Sequence, residues 1–198
     1  PFVPYCPNLF IGGTQEMSKK IQVRDLVQVS MMSIVITLCS WIAVPAAVPF
    51  TMQTFGVFVC LKLLGGWRGT LSVLLYILLG LVGIPVFSSF RSGVGVLLGP
   101  TGGYILGFLL MALMYHLTAR VRGSALAENL ILCAGLFVCY AFGTIWFVYL
   151  MGHRGSPISW LQALLTCVLP YILPDLLKLF LADRVAKKLR SAYPSLSP

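Results

Sequence analysis

From Leu26 to Leu189 the sequence is divided into apolar stretches of helical length, each closed by proline, glycine or a basic residue. That pattern leaves few folds open. About 20 consecutive apolar residues are what an α-helix needs to cross a hydrocarbon layer of about 30 Å. The strands of a membrane barrel would instead alternate over segments of roughly ten residues. Hydrophobic residues make up 59% of the 198 and charged residues only 10%. A soluble domain of this size could not bury so much apolar surface, since apolar usage there, glycine included, runs at roughly half. The pattern predicts an all-α integral membrane protein.

Spans are expected over about 26–44, closed by Pro45, and about 48–65, ending at Gly65-Gly66. A basic turn at Trp67 and Arg68 leads to a third, about 69–87, followed by the loop Ser88-Ser89-Phe90-Arg91-Ser92-Gly93. A fourth runs from near Pro100 to Arg120, a fifth over about 129–151, and a sixth over about 174–189, where Pro174 suits a first helical turn. Between the last two, Leu161 to Leu169 is too short to span and reads as an interfacial or re-entrant helix broken before Pro170. The expected fold is therefore six transmembrane helices with one extra helix before the last. Residues 26–190 form one membrane domain, and 191–198 form a tail. Residues 1–25, with Pro1, Pro4 and Pro7 and no basic segment ahead of an apolar core, read as a poorly structured lead and not as a signal peptide.

Charge supports that count. The formal net charge is +9, but the basic residues punctuate the ends of apolar segments and form no dense stripe, which argues against nucleic acid. With both termini cytoplasmic, the inner side holds Lys19, Lys20, Arg24, Lys62, Arg68, Arg120, Arg122, Arg184, Lys187, Lys188 and Arg190. Arg91 and Arg154 remain outside and Lys178 lies within the membrane, as the positive-inside rule favours. The six cysteines lack C-x-x-C spacing, so neither a metal site nor a disulfide framework is indicated.

Asp175 and Lys178 stand out inside the apolar run Leu173-Pro174-Asp175-Leu176-Leu177-Lys178-Leu179-Phe180-Leu181. Ionisable groups within a membrane segment are costly unless paired or wetted, and so mark a functional site by default. At i and i+3 they share one helix face. They can neutralise each other, or together offer an acceptor and donors to a ligand. The assumed topology puts Arg91 at the same level.

Five segments in order carry a specific resemblance. They are Val48-Pro49-Phe50-Thr51-Met52-Gln53-Thr54, then Gly80-Leu81-Val82-Gly83-Ile84-Pro85-Val86-Phe87, then Leu98-Gly99-Pro100-Thr101-Gly102-Gly103-Tyr104-Ile105-Leu106-Gly107-Phe108, then Gly143-Thr144-Ile145-Trp146, and Leu173-Pro174-Asp175-Leu176-Leu177-Lys178. Over roughly 26–190 the chain resembles the BioY family, the biotin-binding membrane subunits of energy-coupling factor (ECF) transporters. The resemblance implies a six-helix capture subunit in the cell inner (plasma) membrane. It would bind biotin at the outer face and dock with a transmembrane coupling subunit driven by two ATPase subunits. It also implies site roles for Arg91, Asp175 and Lys178, with Thr51, Gln53, Tyr104, Tyr140 and Trp146 as further pocket residues. Family members carry a small-residue docking surface on the first span, for which Ser33 and Thr37 stand here.

Biotin presents two ureido N–H donors, a carbonyl, apolar rings and a carboxylate. Asp175 suits the N–H groups, Lys178 an oxygen, and Arg91 a carboxylate. No cofactor, metal or catalytic residue is expected. The sequence lacks G-x-x-x-x-G-K-[ST], so ATP would be hydrolysed by a partner. The competing readings are capture of another small vitamin or a biotin precursor, and an intramembrane enzyme using Asp175 with His116 or a serine.

Overall fold

The computed structural model describes residues 22–44, 50–119 and 123–192. The expected lead up to residue 21 and the tail from residue 193 lie outside the described residues. Chain order is α1 (Val23–Trp41), β1 (Ala43–Val44), β2 (Phe50–Thr51), α2 (Gln53–Val82), a 3-10 turn (Ser88–Phe90), α3 (Val94–Leu97), α4 (Gly102–Leu117), α5 (Ala125–His153), α6 (Trp160–Cys167) and α7 (Leu169–Ala192). Among the described residues, α1, α2, α5 and the Trp160–Ala192 unit are long and apolar enough to cross a membrane, and α4 is a shorter apolar helix. One amendment to the all-α expectation is the small antiparallel ribbon that pairs Ala43 with Thr51 and Val44 with Phe50.

The second and third expected spans are the two arms of α2, and Trp67 and Arg68 are helical instead of forming a turn. What separates the arms is Gly65, at φ 77° and ψ −171°. That region is essentially restricted to glycine, because a Cβ clashes with the backbone there. The chain doubles back at this point. On a straight helix Leu61 and Gly69 would lie about 12 Å apart. Here a Cβ built on Gly69 would meet Leu61 Cα at 3.2 Å. Farther along, Tyr76 of the second arm returns to the side of Gln53, at the start of the first. α1 lies alongside both arms, with Ile36 and Cys39 against Gly56 and Asp25 3.2 Å from Arg68.

α4 and α5 pack as an antiparallel pair along a seam of glycines. Gly103 faces Trp146, Gly107 faces Cys139 and Gly135 faces Met111. Tyr104 lies directly on Gly143, where a Cβ would sit 2.2 Å from its ring. Between lipid-facing helices no hydrophobic force drives association, so close backbone approach at small residues supplies the dispersion contacts that do.

The last span departs from expectation at its start. α7 begins at Leu169, so Pro174 is interior to the helix and not at its first turn. Pro170 takes the first-turn position, where a missing N–H costs nothing. Pro174 leaves one backbone carbonyl without its helical donor, a defect tolerated where neighbouring groups can satisfy it.

These connections gather most of the described basic residues at one end. Arg68 meets Asp25 at the start of α1, and Lys62 meets Asp183 near the end of α7 at 2.8 Å. The ribbon, the 3-10 turn, α3 and the start of α7 occupy the other end. Gly65→Ala is expected to cost about 1–3 kcal/mol by forcing a Cβ into the glycine-only region. Denaturant unfolding of the detergent-solubilised protein, followed by tryptophan fluorescence, measures this.

Candidate functional site

Asp175 and Lys178 sit two turns into α7, one turn apart, and both are 4% exposed. Their separation is 2.7 Å from Nζ to Oδ1. The pair does not stand alone. Tyr140, from the middle of α5, donates its hydroxyl to Asp175 Oδ2 at 2.6 Å. The ribbon strand β2 brings the Thr51 carbonyl to 2.6 Å from Lys178 Nζ. Phe50 places its ring 4.0 Å beneath the same ammonium. Two separate elements, α5 and β2, therefore converge on one carboxylate and one ammonium of α7. An ion pair buried this deeply is tolerated only when its remaining lone pairs and protons find partners.

Beside the pair lies a cavity, open on one side. Asp175, Lys178, Thr51 and Gln53 form its polar wall, and Tyr104, Phe108, Tyr140 and Tyr171 supply aromatic surface. Gln53 is 5% exposed, and its Nε2 has no hydrogen-bond partner among the described residues. The Tyr76 hydroxyl lies beside it and competes for that donor with whatever fills the cavity. Tyr104 is held by Thr144, with their hydroxyl oxygens 3.2 Å apart. Its ring position is set by Gly143, which has no side chain to displace it.

Of the residues singled out in the sequence, Thr51, Gln53, Tyr104, Tyr140, Asp175 and Lys178 all line this cavity. Trp146 does not. It stands behind the wall, donating Nε1–H to the Gly99 carbonyl at 3.0 Å and packing on Gly103. It therefore braces the Gly99-to-Gly103 turn that delivers Thr101 to the lining. Arg91 is exposed and outside the lining. Its backbone is fixed by a bridge to Phe87, and its Nε donates to the carbonyl of Ser88 at 3.4 Å, a residue that does line the cavity. Ser33 and Thr37 are buried in the bundle, each hydroxyl spent on a carbonyl of its own helix. As they stand they face neighbouring helices of this chain, because α1 packs along the whole of α2.

The sequence reading missed Phe50, Cys139, Cys167 and Tyr171. Tyr171 lines the cavity and its ring lies 6.1 Å from that of Phe50. Adjacency to Thr51 was the available signal for Phe50. For the cysteines and Tyr171 there was none, since apolar or aromatic residues on a membrane helix look alike whether they face lipid or a cavity. The Asp175–His116 enzyme pairing is not assembled. His116 packs on Gly66 and Trp67, at the opposite end of the bundle.

The arrangement can hold a small, largely apolar solute bearing both donors and acceptors. The BioY family model matches residues 16–195. The chain is 37% identical over 171 residues to the biotin transporter BioY of Thermotoga maritima, a match covering 84% of this chain and 96% of that one. It is 36% identical to a probable biotin transporter BioY of Pyrococcus horikoshii, over 72% of this chain and 81% of the relative. The fold matches the crystal structure of the S-component for biotin from an ECF-type ABC transporter. The TM-score is 0.75 at 25% identity, covering 88% of this chain and 95% of the other.

Lys178→Met is expected to destabilise the protein by about 3–5 kcal/mol, because it strands a buried carboxylate. Adding Asp175→Asn should recover part of that loss. Thermal unfolding in detergent of the two single variants and the double variant checks both statements, and equal stability in all would remove the pair from the account.

Proposed function

The chain belongs to the BioY family, and from that premise we propose that it is a multi-pass membrane protein that captures biotin for uptake. The observation that carries this reading is the polar wall of the cavity, where one acceptor and several donors stand against aromatic surface. Asp175 has two oxygens and can accept about four hydrogen bonds. Tyr140 and Lys178 use two. The remaining lone pairs suit the ureido N–H groups of biotin. The Gln53 amide on the cavity wall, with the ammonium of Lys178, then suits the ureido oxygen. The apolar rings of biotin would lie against Tyr104, Phe108 and Tyr171. Arg91, just beyond Ser88 at the mouth, is the cation we assign to the carboxylate, which a guanidinium can bind bidentately.

In this reading α2 crosses the membrane twice, once with each arm. Together with α1, α4, α5 and α7 that makes six spans, with both termini cytoplasmic and the cavity opening outward in the cell inner (plasma) membrane. The gathering of basic residues at the far end supports that orientation. Energy would come from a transmembrane coupling subunit and two ATPase subunits, and the chain itself would bind and release without catalysing a reaction. Lipid-facing small residues for docking would then have to come from a part of α1 other than Ser33 and Thr37, or from those two after α1 shifts.

Calorimetric titration of the purified protein with biotin tests the proposal. Asp175→Asn and Gln53→Leu should each weaken binding about 10- to 100-fold, the loss of one hydrogen bond to a charged or buried group. Unchanged affinity in both would end the site assignment. Tighter binding of another vitamin or of a biotin precursor would reassign the ligand. Arg91→Ala should weaken biotin but leave biotin methyl ester unaffected, and an equal loss for both would take Arg91 off the carboxylate.

A further inference from the structure

A second cavity opens at the opposite end of the bundle among α2, α5 and α7. Its walls are polar and carry Lys62, Lys187, Arg190, Glu128, Asp183 and Ser124. The carboxylates are already engaged. Lys62, 1% exposed, lies 2.8 Å from Asp183 Oδ1 and 3.9 Å from Glu128, and it also donates to Asn129 Oδ1 at 2.6 Å. Three cations face two carboxylates, so one positive charge is left over.

The surplus donors point to a ligand type. Arg190 uses one Nη2–H on the carbonyl of Lys62, while its buried Nε has no hydrogen-bond partner among the described residues. Lys187 spends one proton on Asp183 Oδ2 at 2.7 Å and is otherwise exposed at the rim. At the first turn of α5 the Ser124 hydroxyl takes the amide of Ala127, so the amides of Ala125 and Leu126 have no helical acceptor. A fork of guanidinium donors, an ammonium and helix-start amides around one positive charge match a phosphate group. Arg184 and Lys188 on the same stretch of α7 extend the positive field.

We propose that this cavity is a binding site for a phosphate group, presented by the headgroup of an anionic phospholipid. Basic pockets between helices at the cytoplasmic membrane surface are suited to such headgroups. Their place here, at the level where α7 ends beyond Arg190 and α2 reverses at Gly65 between Lys62 and Arg68, puts the cavity within reach of lipid phosphates. Binding there would fasten α7, which carries Asp175 and Lys178 farther along the same helix, to α2 and α5. The inference rests on the membrane orientation above but not on biotin as ligand.

The test uses the full chain, delipidated in detergent, with native mass spectrometry against phosphatidylglycerol, phosphatidylcholine and inorganic phosphate, and with biotin titration of the same samples. Phosphatidylglycerol should be retained at one molecule per chain in preference to phosphatidylcholine. Lys187→Gln and Arg190→Gln should each weaken that retention about fivefold, the effect of one basic residue near an anionic lipid. Lys187→Gln, altering an exposed side chain, should leave biotin binding intact and so report on a folded protein. Equal retention of both lipids, or retention unchanged in both variants, overturns the site. Inorganic phosphate binding as tightly as phosphatidylglycerol overturns the lipid as its source. Loss of biotin binding with lipid selectivity kept would instead count against the biotin reading alone.

Discussion

Asp175 and Lys178 are both buried, and two charges taken out of water must be satisfied by the protein around them. That demand reaches beyond α7. It requires a hydroxyl from α5 at Tyr140, a backbone carbonyl from the ribbon at Thr51, and an aromatic face from Phe50. α5 is already held by its seam with α4, but the ribbon has little else to hold it in place. The two-residue strands β1 and β2 are too short to be stable as an isolated ribbon, and the contacts to Lys178 anchor them.

The same helix carries a second set of charges at its other end, where Asp183 meets Lys62 and Lys187. α7 is thereby tied by polar contacts at two levels, with an apolar stretch between them that packs through Leu179 and Ala182. Elsewhere the bundle is joined differently. α4 and α5 meet through glycines that let backbones approach, and their contact is dispersion over a long seam.

Much of the membrane-spanning pattern was legible because hydropathy and helix length are local properties. α1, α4 and α5 lie within a few residues of the stretches read from the apolar runs. The boundaries of α7 were not legible. Pro174 is permitted at a first turn and inside a membrane helix, and only packing distinguishes the two. α2 was read as two spans joined by a basic turn, and the structure keeps the two directions while moving the reversal to Gly65. At the site, polar residues were legible and their neighbours were not. Asp175, Lys178, Thr51, Gln53, Tyr104 and Tyr140 carry groups that an apolar setting makes conspicuous, whereas Cys139, Cys167 and Tyr171 do not.

By itself the sequence determined that this chain must be helical in a membrane, which end of the bundle gathers positive charge, and that α7 carries a charge pair needing partners. These follow from composition and spacing, since water, hydrocarbon and the helical repeat act on each segment alone. Only the tertiary structure decided which groups satisfy the pair, that Trp146 braces the wall instead of lining it, that Arg91 stays outside the lining, and that Ser33 and Thr37 are spent inside the bundle. Those outcomes depend on how a helix is rotated about its axis and what it packs against. That rotation is set by contacts between segments far apart in the chain, such as Thr51 with Lys178 and Tyr140 with Asp175.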